Sequence, residues 1–470
     1  MRRSNAAQTP LKRQPRRLST TCLLPDVRQA TYIVKLLQHR GATHFPSPRM
    51  SNLSNDPAAL MLNECTHSLA QNLPPELIVE IILELFETQW DVAWTAASVC
   101  RSWRFAALNI TGRLWSRISI PFGTIPSSLA RRTLPNKRIE TWLHRGGPTT
   151  PLYLDLRDNS PLISNAFSDT LNTTGSMNRV VEMRLSIISR EQWRMRTPAP
   201  NLRVLWLMGP VEKCASLVLL SAALQGLFGY PSFRCPSTSL RELHLQRVKI
   251  DRSPHVFLQQ LTHLTLSHCT EANPGATRCL LTGCSANLQV FSVQECDFPI
   301  GGTSDGAAQL PMLRSLTVNP SNYAWFDSPF GWGSQLSTPS LQALSTTTPR
   351  LKNLSPSIYQ HLKHLTVSLR AMGASLQQEI KGLDRWLNSP GLLTITLVLK
   401  YRVNDIHNTP AFASPSLFFG PTVEKVIVRL PPSAVATAKM ECERLTGAWA
   451  EIGKELVIER WTVSEVVQLR

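Results

Sequence analysis

One pattern recurs through the second half of this chain and limits what it can fold into. Short segments of the form ΦxxΦxΦ, with Φ apolar, begin at Val180, Leu202, Leu240, Leu261, Leu288, Leu313, Leu341, Leu362, Leu392 and Val423. Typical members read LRELHL, LTHLTL and LKHLTV, and the intervals between starts are 22, 38, 21, 27, 25, 28, 21, 30 and 31 residues. Alternation of apolar and polar positions predicts a strand with one buried and one outward face. A unit this short cannot bury its apolar face alone. Successive units must therefore stack, each covering the next, into one continuous core.

The segments and their period resemble leucine-rich repeats. An LYLDL segment at Leu152 fits a degenerate first strand. Where the repeat consensus has a ladder Asn or Cys, only Cys269 and Cys296 comply, and Pro210, Val248, Ser321, Pro349, Arg370, Lys400 and Pro431 stand in the other units. The expectation is an irregular α/β solenoid, with parallel strands on one face and helices or loops on the other. The two cysteines read as buried ladder residues rather than nucleophiles, since no basic group is fixed beside them in sequence. At the far end Ser433 can cap a helix with apolar positions Val435, Ala438, Cys442, Leu445, Trp449 and Ile452, followed by a last strand from Glu455 to Trp461. Such a helix and strand close the open end of an array.

Upstream, Leu73 to Ile120 has a different, helical character. Pro74 and Pro75 sit where a helix begins, and Glu76 suits the positive end of its dipole. Leu77, Ile78, Ile81, Ile82 and Leu85 follow at helical spacing. In a second segment Val92, Ala96, Val99, Trp103 and Ala106 share a face, and Leu114, Trp115 and Ile118 form an apolar plug. A module of about fifty residues buries little surface unaided and calls for a partner.

The order Leu73-Pro74-x-Glu76-Leu77, then Val99-Cys100-x-x-Trp103-Arg104, then Leu114-Trp115 resembles the F-box. With leucine-rich repeats behind it, the whole pattern is similar to the expanded F-box families of mushroom-forming fungi. That resemblance implies a substrate-receptor subunit. The module binds a Skp-type adaptor and through it a cullin-RING ubiquitin ligase, while the repeats hold an unknown protein substrate. Carried over by position, Leu73, Pro74, Leu77, Ile78 and Ile81 would meet the adaptor. Val99, Cys100, Trp103, Leu114 and Trp115 would build the module and contribute to its surface. The subunit itself would not be catalytic, and its location would be cytoplasmic or nuclear. A rival reading is a leucine-rich scaffold with a degenerate F-box and no ligase role.

Composition agrees with an intracellular, non-catalytic chain. Of the formal charge of +17, residues 1–70 carry +7, from ten Lys/Arg and three Asp/Glu. Residues 1–55 read as a disordered basic arm, open to three readings: a solvated tail, a nuclear-localisation or nucleic-acid patch at Lys12-Arg13 and Arg16-Arg17, or a mitochondrial presequence. Ten cysteines in 470 residues without a paired CxxC fit a reducing compartment, and no spacing implies a metal or cofactor. The apolar stretch from Ser216 to Tyr230 is too short to span a bilayer. GxGxxG, GxxxxGK[ST] and HExxH motifs are all missing.

The expected organisation is a basic arm (1–55), the F-box-like module (56–120), a linker (121–148) and the repeat domain (149–470). Within the repeats, the residue between the second and third Φ should point outward. This gives Arg184, Trp206, His244, Thr265, Ser292, Thr317, Thr366, Thr396 and Ile427. The column is too neutral to trap nucleic acid, so a protein recognised by shape and hydrogen bonds fits better. Trp206 and His244 are candidate contacts. An insertion from Asn319 to Ser340 adds Tyr323, Trp325, Phe326, Phe330 and Trp332, either as binding anchors or as a lid folded over the core.

Overall fold

The computed structural model describes residues 73–88, 92–110, 112–119, 133–156, 169–186, 199–209, 239–252, 256–296, 308–319, 336–346, 360–369, 389–399, 421–431 and 449–460, with a few single positions besides. The basic arm and the Tyr323 to Trp332 insertion lie outside the described residues. The chain divides into two compact units, Met1–Leu114 and Trp115–Arg470.

In the first unit, α1 (Pro75–Thr88), α2 (Val92–Val99) and α3 (Arg101–Asn109) pack on one another. Pro75 opens α1, where its missing N–H costs nothing, and the Ile78 N–H closes the first turn on the Pro74 carbonyl at 3.1 Å. Ile78, Ile81, Ile82, Leu85 and Phe86 form the buried stripe of α1. The second apolar segment of the sequence proves to be two helices. Cys100 is extended, with φ −160° and ψ −176°, and breaks the run between Val99 and Arg101. Arg104 ties the two together, its Nε donating to the Ala97 carbonyl at 2.9 Å. Trp103, Ala106 and Ala107 point inward from α3.

The second unit is built on a parallel sheet of thirteen strands whose spatial order follows the chain. These are β1 (Arg117–Ser119), β2 (Leu152–Leu156), β3 (Val180–Ser186), β4 (Val204–Met208), β5 (Glu242–Gln246), β6 (His263–Ser267) and β7 (Val290–Gln294). β8 (Ser315–Asn319), β9 (Ala343–Thr346), β10 (His364–Leu369), β11 (Thr394–Leu399), β12 (Lys425–Leu430) and β13 (Glu455–Arg460) complete it. All ten ΦxxΦxΦ segments and the Leu152 segment supply a strand, and so does the expected last strand. Strand order and spacing make this a solenoid of the leucine-rich-repeat kind, mixed α/β as expected.

The register has a main-chain cause that repeats from rung to rung. One carbonyl just before each of the strands β4 to β11 accepts two consecutive N–H groups of the next repeat. Arg203 O takes those of Arg241 and Glu242 at 2.8 and 2.9 Å, and Arg241 O those of Thr262 and His263 at 2.8 and 3.0 Å. The series continues through Thr262, Gln289, Arg314, Gln342 and Lys363 to Leu393, whose carbonyl takes Glu424 and Lys425 at 3.0 and 3.1 Å. With the backbone so aligned, the apolar positions superpose. Leu240, Leu261, Leu288, Leu313, Leu341, Leu362 and Leu392 are each 0% exposed.

Three strands end in a left-handed residue, Arg247 (φ 55°), His268 (φ 52°) and Glu295 (φ 49°), that turns the chain and sends the next side chain inward. Those next residues are Val248, Cys269 and Cys296, all fully buried. The two ladder cysteines behave as hydrogen-bonding rungs. The Cys269 N–H donates to Cys296 Sγ at 3.4 Å, and Cys269 Sγ donates to the Leu245 carbonyl at 3.4 Å. Burial pushes the Cys296 thiol well above its ordinary range, so it stays protonated. At the same turn of β4 stands Gly209. Its N–H donates to Gln246 O at 2.7 Å, and a Cβ there would lie 1.9 Å from the Arg247 carbonyl oxygen.

The return segments carry a helix, α5 (Ala276–Cys284), and short 3-10 turns at Ser176–Arg179 and Val256–Gln260. Glu271 caps α5 by accepting the Gly275 and Thr277 N–H groups at 3.0 and 2.8 Å.

Two features differ from the sequence expectation. Residues 117–119, assigned above to the helical module, are β1 and pair with β2. Inside the expected linker 121–148 lies a helix, α4 (Thr133–Gly146), with Ile139, Trp142 and Leu143 buried. Trp115 meets Trp142 edge-on at 6.5 Å and carries Arg145 over its ring at 4.7 Å. A three-residue strand has one inward side chain, Ile118, so it leaves no ΦxxΦxΦ signature.

Gly209→Ala should destabilise the folded chain by about 1–3 kcal/mol, the usual range for forcing an atom into a filled space. Gly283→Ala, in α5 with nothing within 4 Å of the new Cβ, should stabilise it by up to about 1 kcal/mol. Urea unfolding of both variants beside wild type checks the pair.

Candidate functional site

The outward face of the sheet is organised in columns, because parallel register places each strand residue beside its counterpart and every second residue points outward. Its central column runs Asp155, Arg184, Trp206, His244, Thr265, Ser292, Thr317, Ser345, Thr366, Thr396, Ile427 and Val457. It contains all nine positions read from the sequence. Ser345 joins them by register, in a segment (LQALST) where Thr346 stands in place of the third apolar residue.

At the β3 to β5 end the column becomes a ring stack. Trp206 and His244 lie parallel, with centroids 3.7 Å apart and planes inclined 13°. The Arg184 guanidinium covers the other side of the indole at 5.2 Å. Glu182 holds Arg184 Nε at 2.7 Å. Each layer contributes on the order of 0.5–1.5 kcal/mol beyond burial, so the three side chains are fixed before any ligand arrives.

His244 is neutral in this setting. Burial lowers its pKa to about 4, and electrostatic repulsion from His263 and Arg184 pushes in the same direction. Its Nε2 lies 3.8 Å from Glu242 Oε2, too far for a hydrogen bond, and with an uncharged ring the two do not form an ion pair near neutral pH. Its Nδ1 is buried with no hydrogen-bond partner. A group titrating near 4 is a poor general acid or base at pH 7, so the stack is suited to holding a ligand rather than transferring protons.

Trp206 and His244 are thus brought into direct contact. Glu182, which holds Arg184, and Glu242, beside His244, were not singled out from sequence, although their place two residues before Arg184 and His244 marks them as neighbours on the same face. Tyr323, Trp325, Phe326, Phe330 and Trp332 are outside the described residues. Asp155 is buried in β2. Among the described residues no group of three or more His, Cys, Asp or Glu could hold a metal ion, and no helix is long and apolar enough to cross a membrane.

The helical unit holds the other expected site. Pro74 is exposed, and Leu73, Leu77, Val99 and Cys100 are half-buried. Ile78 (0%) and Ile81 (3%), expected to meet an adaptor, are buried, as are Trp103, Leu114 and Trp115. The apolar surface of this unit includes instead Leu83 at 39%, Phe105 at 69% and Leu108 at 43% exposure.

Sheet and column together define a repeat protein of the leucine-rich-repeat kind. No family model matches the chain, and no curated protein does. Among solved structures it is similar to one described as the crystal structure of a TLR13–ssRNA13 complex, at 13% identity and a TM-score of 0.31, over 66% of this chain. The match spans 45% of that neighbour's length. At that TM-score the fold assignment rests on the strand order and register given above.

Stability should fall with pH through His244. Its folded pKa lies below the unfolded value near 6.5, so the unfolded chain takes up the proton first, and stability present above about pH 6.5 is lost as pH falls toward 4. His244→Phe, which keeps a stacking ring, should flatten this part of the curve. Urea midpoints measured across that window test it.

Proposed function

We propose that this chain is a non-catalytic receptor subunit of a Skp–cullin–F-box type ubiquitin ligase. The helical unit docks on the adaptor and the sheet face holds the protein to be modified. The observation that carries the reading is the surface of the helical unit. It leaves Pro74, the half-buried Leu73 and Leu77, and the exposed Phe105 and Leu108 uncovered within some forty residues. A small helical unit with that much apolar surface is suited to a partner. The motif order Leu73-Pro74, Cys100-x-x-Trp103 and Leu114-Trp115 resembles the F-box, which implies a Skp-type adaptor as that partner. Catalysis then comes from proximity, since fixing a substrate lysine near a charged conjugating enzyme makes the transfer effectively unimolecular.

A second reading has its own support. Burial of Ile78 and Ile81 removes two of the five expected adaptor contacts, which favours a leucine-rich scaffold whose F-box-like unit no longer serves a ligase.

A pull-down with purified Skp-type adaptor separates the two. The receptor reading expects stoichiometric binding by the folded chain. Leu73→Ala/Leu77→Ala should weaken it about tenfold to a hundredfold, as expected for two partly buried apolar side chains at 1.4 kcal/mol per decade. No binding by folded wild type would leave the scaffold reading.

A further inference from the structure

On the outward face of β6 to β11 the central column is a run of six hydroxyls in register: Thr265, Ser292, Thr317, Ser345, Thr366 and Thr396. Strand spacing puts them roughly 4.8 Å apart, a ladder about 24 Å long. The first five are half-buried and Thr396 is 7% exposed. Ser292 accepts a long hydrogen bond from Gln294 at 3.4 Å. Among the described residues the hydroxyls of Thr265, Thr317, Ser345 and Thr366 make no hydrogen bond within the chain.

The columns on either side share one property. No outward position of β6 to β11 carries Asp, Glu, Lys or Arg. Charge returns at both ends, with Glu242 in β5, and with Lys425 and Arg429 in β12 paired to Glu455 and Glu459 of β13 at 3.1 and 3.0 Å. In a chain with 81 charged residues its absence from six adjacent strands calls for a physical reason. Burying a hydroxyl against a matched polar group costs little, whereas burying a charge is expensive unless it is paired. The buried centre of a protein interface is depleted of charge for that reason. Threonine also loses little rotamer freedom on contact, because its branched Cβ is already restricted.

We propose that this face docks an uncharged segment of a partner protein, one that presents backbone amides and Ser, Thr, Asn, Gln or Gly to the hydroxyl ladder, next to the rigid Trp206–His244 stack. Charge complementarity selects the occupant. A phosphate backbone would find no Lys or Arg within these strands, only Arg314 and Lys363 one residue before β8 and β10, and a charged peptide would lose hydration along the ladder without a counter-charge in the strands themselves. The proposal names the substrate class for the recognition face of the receptor reading, but it does not depend on the adaptor.

The test uses the full chain and a phage-displayed random dodecapeptide library. Enriched peptides should carry fewer charged residues than the roughly one in four of average sequence. Their affinity should change little between low salt and ~0.5 M salt, where exposed charge pairs are screened. Thr317→Lys or Ser292→Lys should weaken binding at least about tenfold, about 1.4 kcal/mol. Glu451→Lys, at an exposed position off this face, should leave it unchanged. Urea unfolding establishes that the lysine variants are folded, and Thr317→Val, which removes only the hydroxyl, should lower affinity without adding charge. Enrichment of charged peptides, steep salt dependence, lysine variants that bind like wild type, preferential binding of poly(U) RNA, or no enrichment at all would each overturn the proposal. Adaptor capture by the same lysine variants should match wild type, so loss of the adaptor reading and loss of this one are separate results.

Discussion

The repeat domain depends on one carbonyl per rung. From Arg203 through Arg241, Thr262, Gln289, Arg314, Gln342 and Lys363 to Leu393, a single oxygen accepts two N–H groups of the next repeat and sets its height and register. A one-residue slip in a strand would exchange its inward and outward side chains, so this placement decides what is core and what is surface. The buried leucines supply the free energy of stacking. The carbonyls determine that the stacking has one solution. Left-handed turns at Arg247, His268 and Glu295, and the tight packing of Gly209 on Arg247, fix the strand ends in the same way.

That division explains what was legible in the sequence. The inward leucines are chemically uniform, and their ΦxxΦxΦ spacing located strands from Val180 to Val423 as well as the degenerate one at Leu152. The outward column was legible too, because period-two alternation follows once a strand is placed. Boundaries were harder. Arg117–Ser119 has one inward residue and so lacks a pattern, and the break at Cys100 is invisible to a helical wheel on which Val92, Ala96, Val99, Trp103 and Ala106 share a stripe. The register-setting carbonyls leave no trace at all. Any side chain can stand on them, as Arg, Thr, Gln, Lys and Leu do here.

The candidate sites show the same limit. Trp206 and His244 were each visible as outward residues one repeat apart, but their 3.7 Å stack required the register. The neutral state of His244 required its burial. In the helical unit, spacing alone could not tell which apolar residues of α1 face the core, so Ile78 and Ile81 were grouped with the half-buried Leu73 and Leu77. Phe105 and Leu108 on α3 emerged only from their exposure.

Register held by the main chain has a further consequence for the hydroxyl ladder. No structural duty falls on a side chain such as Thr317 or Ser345, and its neighbours above and below are supplied by different repeats. The face can therefore be rewritten one rung at a time, with each change local in its effect. A chain built this way can exchange one partner for another through a few surface substitutions while its core remains as it was.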